Sequence, residues 1–167
     1  KHAWTYGARS EIGSGKYVTK FVANSAVRNA VTDSAVVEFI KEIKKIRTEK
    51  VDAEVLKNVK AGYIGRFVMN VQKPQAVARY ALNIETEQLP ADFYEKYIQT
   101  INAVTPDDIL RVANKYFLLD NTRIVIVGKA SEITPGLEKL KLPLYFFDKY
   151  GNPVEKPVTK KEMPAGP

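Results

Sequence analysis

The sequence predicts an α+β protein, an antiparallel or mixed sheet with helices packed on one face. Three observations carry that reading. Two β-rich runs flank a glycine turn near the N-terminus. Stretches of helical period with strong cap signals fill the middle. A short β-branched run, Arg123-Ile124-Val125-Ile126-Val127-Gly128, follows them. All the helices lie between sheet elements, which excludes a repeating strand-helix-strand order and favours layers of segregated type.

The N-terminal strands come first. Trp4-Thr5-Tyr6-Gly7-Ala8-Arg9-Ser10 is β-rich, and large apolar and polar residues alternate from Tyr17 to Phe21 as on a half-buried strand. Gly13-Ser14-Gly15 between them reads as a hairpin turn. Gly15-Lys16 is not a phosphate-cradling loop. The required earlier Gly is Ser10, and Tyr17 stands where Ser or Thr is needed.

Thr32-Asp33-Ser34 is an N-cap cluster, and Val36, Val37, Ile40, Ile43 and Ile46 make an apolar stripe behind it. Lys41, Glu42, Lys44 and Lys45 take the opposite, solvated side, and the helix ends near Arg47-Thr48. A second helix starts at Asp52 and carries Val55, Leu56, Val59, Tyr63 and Phe67. Gly62 and Gly65 inside it each cost about 1 kcal/mol relative to Ala, so they are expected to mark close packing against a neighbour. A third helix runs from Pro74 to about Glu87, with Val77, Tyr80, Ala81 and Ile84 inward, and a short aromatic one spans Asp92 to Ile101. Thr105-Pro106-Asp107-Asp108 is a helix start: cap, proline in the first turn, then acids against the positive dipole end. Ile109, Val112, Ala113 and Tyr116-Phe117 continue it.

The run to Gly128 reads as a buried strand, and Leu144-Tyr145-Phe146-Phe147-Asp148 as a weaker one. Residues 1–148 therefore form the domain. Residues 149–167, which hold four of the nine prolines and few apolar side chains, read as an extended or mobile tail.

Composition excludes much chemistry. The 167 residues contain no Cys and one His, which leaves no thiolate site and no two-His zinc set. His2 lies at the extreme end, a poor place for a catalytic triad. No stretch approaches the roughly 20 apolar residues that cross a bilayer. The net charge is +7, but Lys and Glu are interspersed and no RNA-binding aromatic signature accompanies them, so nucleic acid is not the expected partner. The chain starts at Lys1 without an initiator Met or a signal-peptide pattern and reads as part of something longer. The absence of Cys suits the periplasm and the cytoplasm alike.

Several of these words, in this order, resemble the second, non-zinc half of the M16 family of zinc metallopeptidases, the insulinase, pitrilysin and mitochondrial-processing-peptidase group. They are Trp4 to Ser10, Ser25-Ala26-Val27-Arg28-Asn29-Ala30-Val31-Thr32-Asp33-Ser34-Ala35, Leu89-Pro90-Ala91-Asp92-Phe93-Tyr94, Val104 to Ile109, and Ile124 to Gly128. The match covers about residues 1–130. The resemblance implies an N-terminally incomplete domain of that family's fold, one wall of a clamshell that closes on an unfolded peptide. It implies a partner half, in the same polypeptide or another, that carries His-x-x-Glu-His and the zinc. This chain then holds no metal or other cofactor and is no enzyme by itself.

In that family the non-zinc half contributes an Arg and a Tyr, seven positions apart, that reach the substrate beside the zinc. Tyr6 falls at the Tyr position, and the Arg would lie two residues before Lys1. Hydrolysis builds negative charge on the scissile carbonyl oxygen, and a phenol hydroxyl is a donor that stabilises it. Arg28, after the second strand, is the second candidate, for contact with the substrate's backbone or carboxylate. Alternation puts Ala8 and Ser10 on the Tyr6 face and Arg9 on the other. Arg79 and Tyr80 are adjacent on a helix, so their side chains diverge and they are not the pair. Gly128 is a strand end. The alternative function is a catalytically inactive scaffold or peptide-binding subunit of the same fold. With its first strands upstream, the chain would also expose a sheet edge that another chain covers or that aggregates.

Overall fold

The computed structural model describes residues 4–13, 15 and 17–156. It is mixed α+β, mostly helical, with one small antiparallel sheet among the described residues. The chain divides into two compact units. Unit 1 comprises Lys1–Gly13, Lys20–Glu42 and Asp120–Pro167; unit 2 comprises Ser14–Thr19 and Ile43–Leu119.

In unit 1, β1 (Ala8–Ile12) pairs with β2 (Phe21–Ser25), with Ala8 opposite Ser25 and Ile12 opposite Phe21. The Gly13 amide donates to the Lys20 carbonyl at 2.9 Å and carries the ladder one step towards the turn. The hairpin read from the sequence is present, but β1 begins at Ala8 and β2 at Phe21. Tyr6 and Tyr17 both lie outside the ladder. Ser14 and Lys16 of the turn lie outside the described residues.

After β2, a single 3-10 turn (Asn29–Val31) leads into α1 (Thr32–Thr48). The core of unit 1 is Val36 of α1 against Ile133 and Leu137 of a helix spanning Ala130–Glu138, with Ile40, Ile126, Leu140 and Leu144 around it. That helix was not read from the sequence. It holds Thr134-Pro135-Gly136, which scans as a breaker, yet Thr134 is 1% exposed and a Cβ on Gly136 would meet the Asp33 carboxylate at 2.9 Å. The close approach of α1 to this helix is what requires glycine there.

The run Ile124–Val127 is not a strand. It has no ladder partner among the described residues, although its exposure alternates: Ile126 packs on the core while Val125 and Val127 are 85% and 96% exposed. Its β-branched composition fits a strand, but a strand exists only where a neighbour supplies hydrogen bonds. Among the described residues, Leu144–Asp148 forms one bridge, Phe147 to Pro153. The Asp148 carboxylate accepts from the Tyr150 and Asn152 amides and from Asn152 Nδ2, at 2.8 to 3.0 Å, and closes that turn. These bonds hold the Asp148 carboxyl below the usual range. Residues 149–156 are thus the return limb of a turn, and residues 157–167 lie outside the described residues.

Unit 2 is built from α2 (Ala53–Val71), α3 (Pro74–Thr86), α4 (Tyr97–Ala103) and α5 (Pro106–Tyr116); the helix after them in unit 1 is α6 (Ala130–Glu138). Two caps of this unit sit where the sequence puts them, whereas Thr32 of the expected Thr32-Asp33-Ser34 cluster lies inside α1, its hydroxyl turned to the Arg28 carbonyl. Asp52 accepts from the Glu54 and Val55 amides, and Thr105 with Asp108 forms a reciprocal capping box. Two bonds from Thr105 and one from Arg111 hold the Asp108 carboxyl down at about 2. The short aromatic helix starts later than Asp92, at Tyr97, and the segment before it is a series of turns. Phe67, Tyr80, Tyr94 and Tyr97 stack with centroids 4.2 to 6.4 Å apart, and Asn83 Nδ2 donates to the Tyr94 hydroxyl at 3.0 Å. Burial, then Tyr63 and Tyr80, push the Tyr97 hydroxyl up. Of the residues expected inward on α3, Tyr80 and Ile84 are half-buried, while Val77 and Ala81 are exposed. Gly62 and Gly65 do not mark close packing. A Cβ at either would meet nothing within 4 Å among the described residues.

Candidate functional site

The ribbon end formed by the start of β1 and the finish of β2 gathers the residues singled out in the sequence. Tyr6 precedes Ala8 by two positions, and Arg28 follows Ser25 by three. The Ser25 hydroxyl donates to the Gly7 carbonyl at 3.0 Å, tying the segment that carries Tyr6 to the end of β2. A small local turn adds to this, with Thr5 Oγ1 bonded to both the amide and the carbonyl of Gly7. The backbone around Tyr6 is therefore held at both sides of Gly7.

The Tyr6 ring is fully exposed, at 114%. No hydrogen bond reaches its hydroxyl among the described residues. Arg28 is also exposed, and its guanidinium has no ion pair among them. Its backbone does structural work: the Arg28 carbonyl accepts from the Val31 amide at 3.0 Å and starts the turn into α1. Arg28 has extended dihedrals, φ −68° and ψ 147°, so the chain changes course at this residue.

Next along the chain, Asn29 Nδ2 donates to Glu132 Oε2 at 2.8 Å, and Lys129 Nζ lies 2.8 Å from Glu132 Oε1. Glu132 thus joins the end of the ribbon to the first turn of α6. Its carboxylate, by hydrogen bond first and charge second, raises the Lys129 ammonium above its ordinary range. Gly128 belongs to the same corner. A Cβ there would touch Ile133 at 3.4 Å and the Asn29 amide oxygen at 3.5 Å, ordinary to tight contact. None of Asn29, Lys129 and Glu132 was singled out in the sequence. Only their separation, 103 positions between Asn29 and Glu132, concealed the pairing.

The arrangement supplies an exposed phenol and an exposed guanidinium near one end of a two-stranded ribbon. Both are hydrogen-bond donors to a peptide carbonyl or a carboxylate. A ribbon also offers open backbone edges to an extended chain. Among the described residues, no group of three or more His, Cys, Asp or Glu is placed to hold a metal ion. No described helix is long and apolar enough to cross a membrane.

Unit 2 carries a second concavity that the sequence did not suggest. It is an open trough of about 780 Å³ between the start of α2 and the α4–α5 elbow, lined by Leu56, Lys60, Ile64, Asn102 and Thr105 among others. Lys60 Nζ donates to the Asn102 carbonyl at 2.9 Å and bridges its two walls. Its lining is largely aliphatic, which suits packing better than chemistry. No family model matches the chain, and no curated protein matches it.

Proposed function

We propose that this chain is part of the non-zinc half of an insulinase-type zinc metallopeptidase, a wall that holds an unfolded peptide and presents Tyr6 to the scissile bond. The observation that supports this most is the pair of exposed donors, the Tyr6 phenol and the Arg28 guanidinium, at one end of the β1–β2 ribbon. The zinc and its His-x-x-Glu-His belong, in this reading, to a separate half. The work of this chain is to bind and orient. Arg28 engages a carbonyl or carboxylate of the peptide, and the Tyr6 hydroxyl donates to the carbonyl oxygen on which negative charge develops. A donor carried on the opposite wall reaches the reacting bond only when the halves are closed, which ties hydrolysis to closure.

The test is turnover of a quenched peptide by the whole two-half enzyme, with Tyr6→Phe beside wild type. Loss of one such donor costs about 2.7–4 kcal/mol, or roughly 10²–10³ in kcat. Arg28→Ala is expected to raise KM with a smaller change in kcat, since it removes binding shared by ground and transition states. Undiminished turnover in Tyr6→Phe would remove Tyr6 from the chemistry and leave a scaffold or peptide-holding wall.

A further inference from the structure

Tyr80 on α3 and Tyr94 in the turns before α4 stack with ring centroids 4.2 Å apart and planes at 20°. That is tighter than the roughly 4.5–7 Å usual for aromatic pairs. The helix that carries Tyr80 also grips Tyr94. Asn83, on the same face of α3 one turn further on, donates Nδ2 to the Tyr94 hydroxyl at 3.0 Å. That bond uses an acceptor site of the phenol and leaves its O–H proton free to depart. Phe67 of α2 stacks on both rings, 5.7 Å from Tyr80 and 6.4 Å from Tyr94. The other ring contacts of this cluster each include a phenylalanine, so Tyr80 and Tyr94 are the pair in which both rings carry a hydroxyl. Both are half-buried and keep a path to water.

We propose that Tyr80 and Tyr94 are an oxidative cross-linking site, a pair set to form dityrosine when hydrogen peroxide is turned over by a haem peroxidase, a one-electron oxidant. Each phenol gives one electron to the oxidant and its hydroxyl proton to water, which leaves two phenoxyl radicals in contact. A carbon–carbon bond forms between the ring carbons ortho to the two oxygens. Each of those carbons then releases its hydrogen as a proton while its oxygen regains one, and both phenols are restored. The pair loses two electrons and two protons, and one peroxide takes them up as two waters. Phe67 and Phe93 have no hydroxyl and cannot substitute for either partner. Bonding requires the rings to slide out of their stack, and Tyr94 lies in turns rather than in a helix, so its backbone can follow. The bond closes residues 80–94 into a loop and fastens the approach to α4 onto α3, which takes conformational freedom from the unfolded chain. The site is complete within unit 2 and is independent of the peptidase reading.

The test treats the chain with hydrogen peroxide and a haem peroxidase and then digests it with a glutamate-specific protease. Glu85 and Glu87 lie between the two tyrosines, so cleavage separates them unless they are bonded. The expected product is the two peptides joined, lighter by two hydrogens than the pair apart, with dityrosine fluorescence and a yield that dilution does not change. Exposed rings such as Tyr6, Tyr145 and Tyr150 give bonds between chains, and those fade on dilution. Tyr80→Phe and Tyr94→Phe are each expected to abolish the joined product while far-ultraviolet dichroism stays unchanged, and Tyr97→Phe is expected to leave it. Failure of the product to form, its survival in Tyr80→Phe, its loss in Tyr97→Phe, or an equal yield from the chain unfolded in urea would each overturn the proposal.

Discussion

In unit 1, a Cβ on Gly136 would run into the Asp33 side chain, with Cγ at 3.0 Å and Cβ at 3.3 Å. In unit 2, a Cβ on Gly62 or Gly65 would meet nothing within 4 Å among the described residues. The same residue type, inside a helix both times, records two kinds of packing. Helices α1 and α6 approach closely over a few aliphatic side chains and bury Thr134 almost completely. The helices of unit 2 pack instead through large rings, Phe67, Tyr80, Tyr94 and Tyr97, that remain half-exposed. A glycine in a helix is thus evidence of close approach only when the opposite wall is known.

The comparison can be broken by mutation. The largest effect is expected at Leu137→Ala, which empties the small aliphatic cluster of unit 1 and should cost about 2–5 kcal/mol by urea denaturation. Val59→Ala on the exposed side of α2 is the matching control in unit 2, with a change within about 0.5 kcal/mol. Gly136→Ala comes next, a loss of about 1–3 kcal/mol from overpacking against Asp33. Gly62→Ala and Gly65→Ala should move the other way, each stabilising by about 0.5–1 kcal/mol through helix propensity. A loss at both would restore the close-packing reading of α2. Thr105→Ala removes a donor and acceptor of the α5 capping box and should cost about 1 kcal/mol.

The smallest effect concerns pH. The Asp108 carboxyl is held at about 2 in the folded chain against an ordinary 3.8, through its bonds with Thr105 and Arg111. A depressed carboxyl stabilises fully above its unfolded value and loses that contribution as pH falls through the folded value. Asp108→Asn should therefore flatten the fall of stability between about pH 4 and pH 2, and leave the slope near neutrality unchanged. Denaturation midpoints over that range measure it. An identical slope in the variant would remove Asp108 from the acid response.

What was legible in the sequence follows from which interactions are local. Asp52, Thr105 and Asp108 cap their helices through residues two or three positions away, so the spelling suffices. The β1–β2 hairpin also closes locally. Helix α6 was hidden because Thr134, Pro135 and Gly136 are helix breakers by propensity, and their burial against α1 overrides it. The β-branched run at Ile124 has the composition of a strand, but pairing is a property of two segments, and none pairs with it among the described residues. At the candidate site, Tyr6 and Arg28 were singled out separately, and both border the same locally closed hairpin. The Asn29–Glu132–Lys129 corner depends on a contact between distant segments, and no motif announces it.

The aromatic stack has an optical consequence. The chain's one tryptophan, Trp4, falls in unit 1, while the stacked tyrosines all fall in unit 2. Rings fixed in an asymmetric environment give near-ultraviolet dichroism, and freely exposed ones such as Tyr6, Tyr145 and Tyr150 give little. Tyrosine dichroism therefore reports the melting of unit 2, and selectively excited tryptophan emission reports events at the start of unit 1. A single sample carries both dyes already installed, and the order in which the two signals are lost can be read without labelling.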